Sequence, residues 1–292
     1  MTILTKDHSK IDKNLPLLIR KILGDHRNDF LEQWQEILRG NVSLNTRQAT
    51  AGVLLLLRRH PRGCQSGPEG DSWVLQLIKR SARTAQGGDI SCPGGMLHPT
   101  VDWAFGMLFI RSGLLPLPPV RGKSYPAGKT ARQNKIMATF FANALRESWE
   151  ELRLNPLHVS LLGILPIYSL HLFRRAIFPL VAVADPDWLP APNSEVEKLI
   201  EIPLGTFFRT DSYGRYLIHA SDRMPTPEQG PWEFPCLLHI DDSGEEILWG
   251  ATFYIIMNFL RIVFAYHLPD LDGTRIRHKI LNNDYLTGNR NG

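Results

Sequence analysis

The sequence predicts an α+β fold in which a mixed sheet lies between helical layers. Two observations carry this expectation. Apolar residues recur at helical spacing near the start (15–40), in the middle (about 136–152) and near the end (about 252–266). Apolar runs of strand length, bounded by Gly, Pro, Asn and Ser, fill the stretches between them, and no internal repeat or low-complexity tract interrupts the order.

Taken in order, "LPLLIRKILGDHRNDFLEQWQEILRG" (15–40) reads as helices packed on the domain, because charges fall between its apolar positions. "TAGVLLLLRR" (50–59) reads as a buried strand, "PRGCQSGPEGDS" (61–72) as a hairpin loop, and "WVLQLIKRS" (73–81) as the returning strand. "GGDISCPGGMLHP" is a strand running into a glycine turn. Residues 103–135 read as an irregular block, an apolar half followed by the basic "RGKSYPAGKTARQNK". A helix is expected at about 136–152 and strands at 159–168 and 175–185. "WLPAPNSE" is a loop, and 196–208 a strand with a helical turn. Strands near 234–240 and 246–248 precede a closing helix from about Thr252 to Tyr266. The resulting division is an N-terminal helical segment (1–45), a main domain (46–270) with an insertion at about 101–137, and a C-terminal tail (271–292).

The bulk numbers narrow the class. With 292 residues, 43% of them hydrophobic, the chain can bury a sizeable core, and 21% charged residues argue against wholesale disorder. A net charge of +4 suits an anionic small molecule. Aromatic and basic residues are not interleaved, so no nucleic-acid partner is expected. Met1–Asn14 has no apolar signal core, and neither end carries a lipidation motif. The apolar runs 251–268 and 103–120 are broken by Asn258 and Arg261, and by Arg111, Gly113 and prolines, so no membrane span or membrane partner is expected. Cys64, Cys92 and Cys236 form no CxxC pair and fit buried or free thiols in a cytoplasmic, reducing compartment.

Chemistry is concentrated in "NALRESWEELRL" (143–154). On a helix, Leu145, Trp149 and Leu152 share one side while Glu147, Glu150 and Glu151 share the other. Three carboxylates on one face repel one another. Either Arg146 and Arg153 offset them on a solvated face, or a divalent cation such as Mg²⁺ or Mn²⁺ does, completed by water and a substrate phosphate.

The segment "RESWEE" resembles the core of the Nudix hydrolase box, G-x5-E-x7-R-E-U-x-E-E-x-G-U, with "CPGG" (92–95) as its opening glycines. The resemblance implies a Nudix-type α/β/α sandwich. It makes Glu147, Glu150 and Glu151 the metal ligands, Arg146 the arginine that orients them, and Gly94 and Gly95 the loop glycines. Gly95 and Arg146 stand 51 positions apart, which implies an insertion inside the box. The box's first glutamate has no counterpart: Val101 lies six after Gly95 and Ala138 eight before Arg146, while Arg153 replaces the late glycine.

Around the box, "LQLIKRSARTAQGGDISCPGG" (75–95) resembles the signature of the coenzyme A pyrophosphatase branch. "VSLLGILP", "FPLVAVADPDWLPAPNSEVEKLIEIPLGTF", "FPCLLHI" and "EILWGATFYIIMNFL" then follow in the branch's order, so that the resemblance covers roughly residues 50–265. It implies hydrolysis of coenzyme A or its thioesters to 3′,5′-ADP and 4′-phosphopantetheine or its acyl form, with Mg²⁺ or Mn²⁺. Lys79, Arg80 and Arg83 would then meet phosphates, since guanidinium groups bind such oxygens bidentately; a basic edge strand would explain the same residues without a ligand.

Such a reaction requires neutralisation of the pyrophosphate and a nucleophilic water, which metal ions supply, together with a general base, a part open to Glu147. Glu195 and Glu245 read as solvated loop acids, His98 as structural, Trp249 as core and Cys92 as an inert buried thiol. "GKSYPAGKT" (122–130) misses the P-loop pattern by one place. The insertion reads as a mobile basic lid, or with 103–120 as an arm that meets a second subunit in a homodimer. Two other readings stay open, hydrolysis of ADP-ribose, NADH or a dinucleotide, and a non-catalytic nucleotide-sensing module.

Overall fold

A computed structural model of the chain describes residues 14–26, 30–43, 49–59, 73–113, 127–170, 175–220, 231–281 and 285. The fold is mixed α+β, as expected. Helices α1 (Leu15–Asp25) and α2 (Phe30–Ser43) precede strands β1 (Ala49–Arg59) and β2 (Trp73–Arg80). Short strands β3 (Ile90–Ser91) and β4 (Gly94–Met96) lead into α3 (Pro99–Ser112) and the long α4 (Ala127–Leu152). Strands β5 (Val159–Ile164), β6 (Tyr168–Leu170), β7 (Arg175–Ala184) and β8 (Val196–Pro203) follow. Then come β9 (Tyr213–Ala220), β10 (Trp232–Asp241), β11 (Gly244–Trp249), α5 (Gly250–Phe264) and β12 (Arg275–Leu281).

The first sheet runs β3-β2-β1-β7-β5, with β1 and β7 parallel and their other neighbours antiparallel. Leu54, Leu55, Leu56 and Leu57 are all fully buried, which requires both faces of β1 to be covered. Leu54 and Leu56 point to the layer of α2 and α4, where Phe140 stacks on Phe178 at 3.5 Å between ring centroids and Trp34 packs edge-on to both. Leu55 and Leu57 point to the layer of α1 and α5, among Ile19, Phe253 and Phe259. A second sheet, β11-β10-β9-β12, closes the far side of α5. The sandwich is therefore helix, sheet, helix, with the second sheet added.

The expectations fail in four places. Residues 103–135 are not irregular at either end: α3 covers 99–112, and α4 starts at Ala127, well before the expected 136. The run "WAFGMLFI" is apolar at almost every position, so it shows no helical period. Pro99 at its first turn and Gly113, at φ 65 just past its end, are the signals that delimit it. Strand β9 was absent from the sequence reading, and β12 lies in the segment assigned to a tail. There "RIRHKIL" pairs parallel with β9, its basic residues suiting a sheet edge. The hairpin loop 61–72, Cys64, and the P-loop-like stretch as far as 126 lie outside the described residues. Among the described residues, no helix is long and apolar enough to cross a membrane.

Candidate active site

The site forms where α4 crosses the start of β1. Strand β4 pairs with β1 so that Gly95 opposes Gly52 and Gly94 opposes Val53. Asn143 ties the helix to both strands: its Oδ1 accepts the Gly52 N–H at 2.7 Å and its Nδ2 donates to the Met96 carbonyl at 2.9 Å. A Cβ at Gly52 would lie 2.7 Å from the Phe140 carbonyl oxygen, so helix and strand meet in direct backbone contact.

Glu147 and Glu151 follow Asn143 at one-turn intervals and so share its face. The Glu147 carboxylate lies against Gly95, where a Cβ would come within 2.5 Å of its Oε2, and Glu151 accepts the Gly94 N–H at 3.0 Å. The two halves separated by the insertion are thus in contact. The sequence reading placed Glu151 on a face opposite the apolar one; instead Glu151 is buried, at 6% exposure, and Trp149 is 43% exposed. The helix is rolled because Ser148, fully buried, takes a core position.

Arg146 joins the third element. Its Nε and Nη2 donate to Asp102 at 2.8 and 3.2 Å, and Nη2 also reaches the Met96 carbonyl at 3.2 Å. It pairs with Glu147 at 2.9 Å and with Glu150 at 3.2 Å. Asp102 is fully buried on α3 and accepts the backbone N–H of His98 at 2.7 Å. Asp102 is seven residues after Gly95 and holds Arg146 from inside the insertion. Asn143 and Asp102 are the residues that sequence reasoning passed over. Their signals were an Asn in a helix interior, where it is unfavourable unless bonded, and a lone acid in an apolar run.

The electrostatics follow from burial. Burial lifts the Glu151 carboxyl to about 7 against the opposing pull of the Gly94 N–H, with nearby Glu147 adding to the rise. Burial also raises Glu147, although Arg146 pulls it down. Bonding to Asp102 raises Arg146 further, so the guanidinium stays charged. Among the described residues no three His, Cys, Asp or Glu side chains converge as a ready-made metal cluster, for Arg146 holds Glu147 and Glu150. The donor set still fits a hard divalent cation. Two carboxylates one turn apart flank the glycine turn, and Glu151, whose carboxylate charge burial penalises, would gain from a cation beside it.

The basic trio is divided. Arg80 lies close enough to Glu151 to lower its pKa, and its Nε donates to the Ala85 carbonyl at 2.9 Å. Arg83 is exposed on the following loop. Lys79 bonds instead to Glu197 and Glu246, both at 3.1 Å; burial would lower its pKa, but those bonds outweigh it. Glu195 lies near Glu151, whereas Glu245 is tied to Arg277 at 2.6 Å. Trp249 is half-buried and packs on Tyr216 and Phe234 at the edge of the core, and burial pushes the Cys92 thiol up to about 12, which keeps it inert.

Asp102→Asn keeps the shape of the acid and removes its charge. The expected cost is about 1–3 kcal/mol of stability, the loss of a charge-assisted bond at a buried site, read from urea unfolding. An unchanged midpoint would mean that the glutamates alone hold Arg146.

No protein-family model matches the sequence, and no curated protein matches it. Solved structures that are similar include a Nudix hydrolase from M. smegmatis, RenU, at 16% identity, covering 53% of this chain and 71% of that one with a TM-score of 0.30. A C. elegans Ap4A hydrolase is 12% identical over 55% of this chain and 83% of its own, with a TM-score of 0.32. The MutT protein from Methanosarcina mazei Go1 is 14% identical over 55% and 80%, also with a TM-score of 0.32.

Proposed function

We propose that the protein is a Nudix-type, metal-dependent hydrolase. Its reaction is cleavage of the pyrophosphate bond of coenzyme A or acyl-coenzyme A to 3′,5′-ADP and 4′-phosphopantetheine or its acyl form. The observation that supports this reading most is the contact between Glu147 and Glu151 of α4 and the Gly94–Gly95 turn, across the insertion that separates them in sequence. The substrate branch rests on the 75–95 signature and the ordered segments after it. Alongside it goes a cytoplasmic location, which fits free, buried thiols at Cys92 and Cys236.

Glu147 and Glu151 would hold Mg²⁺ or Mn²⁺, with Glu150 completing the set from the rim. When bound, the metal neutralises pyrophosphate charge and makes a bound water acidic enough to attack. Arg146, fixed by Asp102, orients Glu147 and Glu150. The part of general base is open to Glu147, which serves as either ligand or base. Gly94 and Gly95 leave the turn without side chains, so backbone can come close to a phosphate. Arg80 and Arg83 are the cations that face substrate oxygens. Lys79, engaged by Glu197 and Glu246, is a weaker candidate than the sequence implied.

The test is a substrate panel with Mg²⁺ or Mn²⁺: coenzyme A, its 3′-dephospho form, ADP-ribose and NADH, with products separated by chromatography. Release of 3′,5′-ADP, with kcat/KM higher for coenzyme A than for the 3′-dephospho form, is expected. Turnover of ADP-ribose or NADH instead would keep the site and replace the substrate. Metal binding without turnover of any of them would favour the nucleotide-sensing module.

A further inference from the structure

Among the described residues, the insertion helix α3 is covered on one side only. It packs on α4 through Asp102, bonded to Arg146, and through Gly106, where a Cβ would lie 2.8 Å from the Ala138 and Thr139 backbone. At 100° per residue, Val101, Phe105 and Leu108 form one flank of the helix, and Trp103 and Ile110 the other. Their exposures are 37%, 47%, 52%, 56% and 40% in that order. At ~200 Å² per large side chain, this leaves on the order of 500 Å² of apolar surface in water, enough to mark an interaction site. A helix that is apolar all round belongs in an apolar surrounding.

The exposed charges at its C-terminal end are of one sign, whereas Arg146, Glu147 and Glu150 mix both signs at the other. The antiparallel course of α3 and α4 carries Arg111 toward Arg132 and Lys135. All three are exposed, and none forms an ion pair among the described residues. The one acid of α3, Asp102, is buried and bonded to Arg146. The exposed surface is thus apolar on two flanks and positive at one end.

We infer that α3 is a membrane-docking helix, laid in the headgroup region of an anionic bilayer with both flanks against acyl chains. Arg111, Arg132 and Lys135 then face lipid phosphates. Such interfacial binding combines apolar burial with attraction to anionic lipid, and it needs no crossing segment. A second copy of the chain fits less well: a two-fold contact covers one flank of each helix and leaves the other in water. The Arg111 stem can lie along the apolar surface while its guanidinium reaches the phosphates. The inference departs from the expectation of no membrane partner and needs no membrane span. The inference does not depend on the proposed reaction.

The test is co-sedimentation of the full chain with phosphatidylcholine vesicles, with and without about one third phosphatidylserine. Binding to the anionic vesicles, weakened by salt, is expected. The double variant Trp103→Ser/Phe105→Ser should abolish binding with an unchanged thermal midpoint, because both side chains are exposed. Arg132→Glu/Lys135→Glu should weaken it by about tenfold or more. No sedimentation with either vesicle, or equal binding by the apolar variant, would overturn the inference. So would a concentration-dependent dimer in sedimentation equilibrium that Trp103→Ser/Phe105→Ser dissociates, without vesicle binding. Hydrolysis measured on the same preparations is a separate readout, so failure of the reaction leaves the docking result to be judged alone.

Discussion

Gly95→Ala should leave the protein folded and almost inactive, whereas Gly94→Ala, one residue away, should unfold it. At Gly95 the atoms nearest to the added Cβ all belong to the Glu147 side chain, with its Cδ and Oε2 at 2.5 Å. The far end of a flexible side chain can move aside, so little stability is lost. The carboxylate that moves is the one assigned to metal or proton, and a displacement near 1 Å costs about 10²-fold in rate. At Gly94 the backbone has φ +137, and a Cβ would lie 2.4 Å from the Gly52 carbonyl oxygen and 2.7 Å from the Val53 Cα. Neither atom can yield, because both belong to the central strand β1. Left-handed strain alone costs about 1–3 kcal/mol, and the clash adds to it against a total stability of about 5–15 kcal/mol. Urea midpoints and initial rates separate the two variants. Equal loss of stability in both would contradict the assignment of Gly95 to the site rather than to the fold.

Glu147→Gln and Glu151→Gln should each lower kcat/KM by about 10³-fold or more, the scale of several kcal/mol of metal-assisted stabilisation. Glu150→Gln should cost less, because Glu150 is held at the rim by Arg146 with over half of its side chain exposed. The amides keep shape, so the losses are losses of charge. Glu151→Gln carries a second, opposite signature. The folded carboxyl titrates at about 7, above its ordinary 4.5, because burial penalises the charge. Deprotonation therefore favours the unfolded chain, and stability falls as pH rises from about 4.5 through 7. The amide cannot ionise and still offers an oxygen to the Gly94 N–H. Metal-free Glu151→Gln should thus melt higher than the unaltered protein at pH 8 and alike at pH 4, while with metal restored its hydrolysis stays reduced as above. A variant that loses both stability and activity at pH 8 would mean that Glu151 is structural.

Much of this was legible in the residues because the signals were local. The Leu54–Leu57 run, the returning β2 and the strand-then-turn at 196–208 each follow from short-range pattern, and the structure keeps them. The contact between "PGG" and "RESWEE" was legible only through the resemblance to the Nudix box, since no helical period or spacing rule predicts a meeting across 51 positions. What escaped depended on tertiary context. The roll of α4 that buries Glu151 and exposes Trp149 goes with buried Ser148 and with the bond from Asn143 to Gly52 of β1, and the spacing of apolar residues in 143–154 does not show it. Helix α3 escaped because its apolar residues face outward as well as inward, so the period that identifies a surface helix is missing. Lys79 and Arg80 are neighbours in sequence, yet strand alternation sends one to Glu246 on β11 and the other toward Glu151 on α4.

The most direct measurement is a Mn²⁺ titration of chelator-stripped protein, with free Mn²⁺ read by electron paramagnetic resonance, on the unaltered chain and on Glu147→Gln and Glu151→Gln. Saturable binding that either substitution weakens by about 100-fold or more, two decades at 1.36 kcal/mol each, is the predicted result. Binding that neither substitution changes, or none at all in the unaltered chain, would contradict a metal centre built from α4 and the glycine turn.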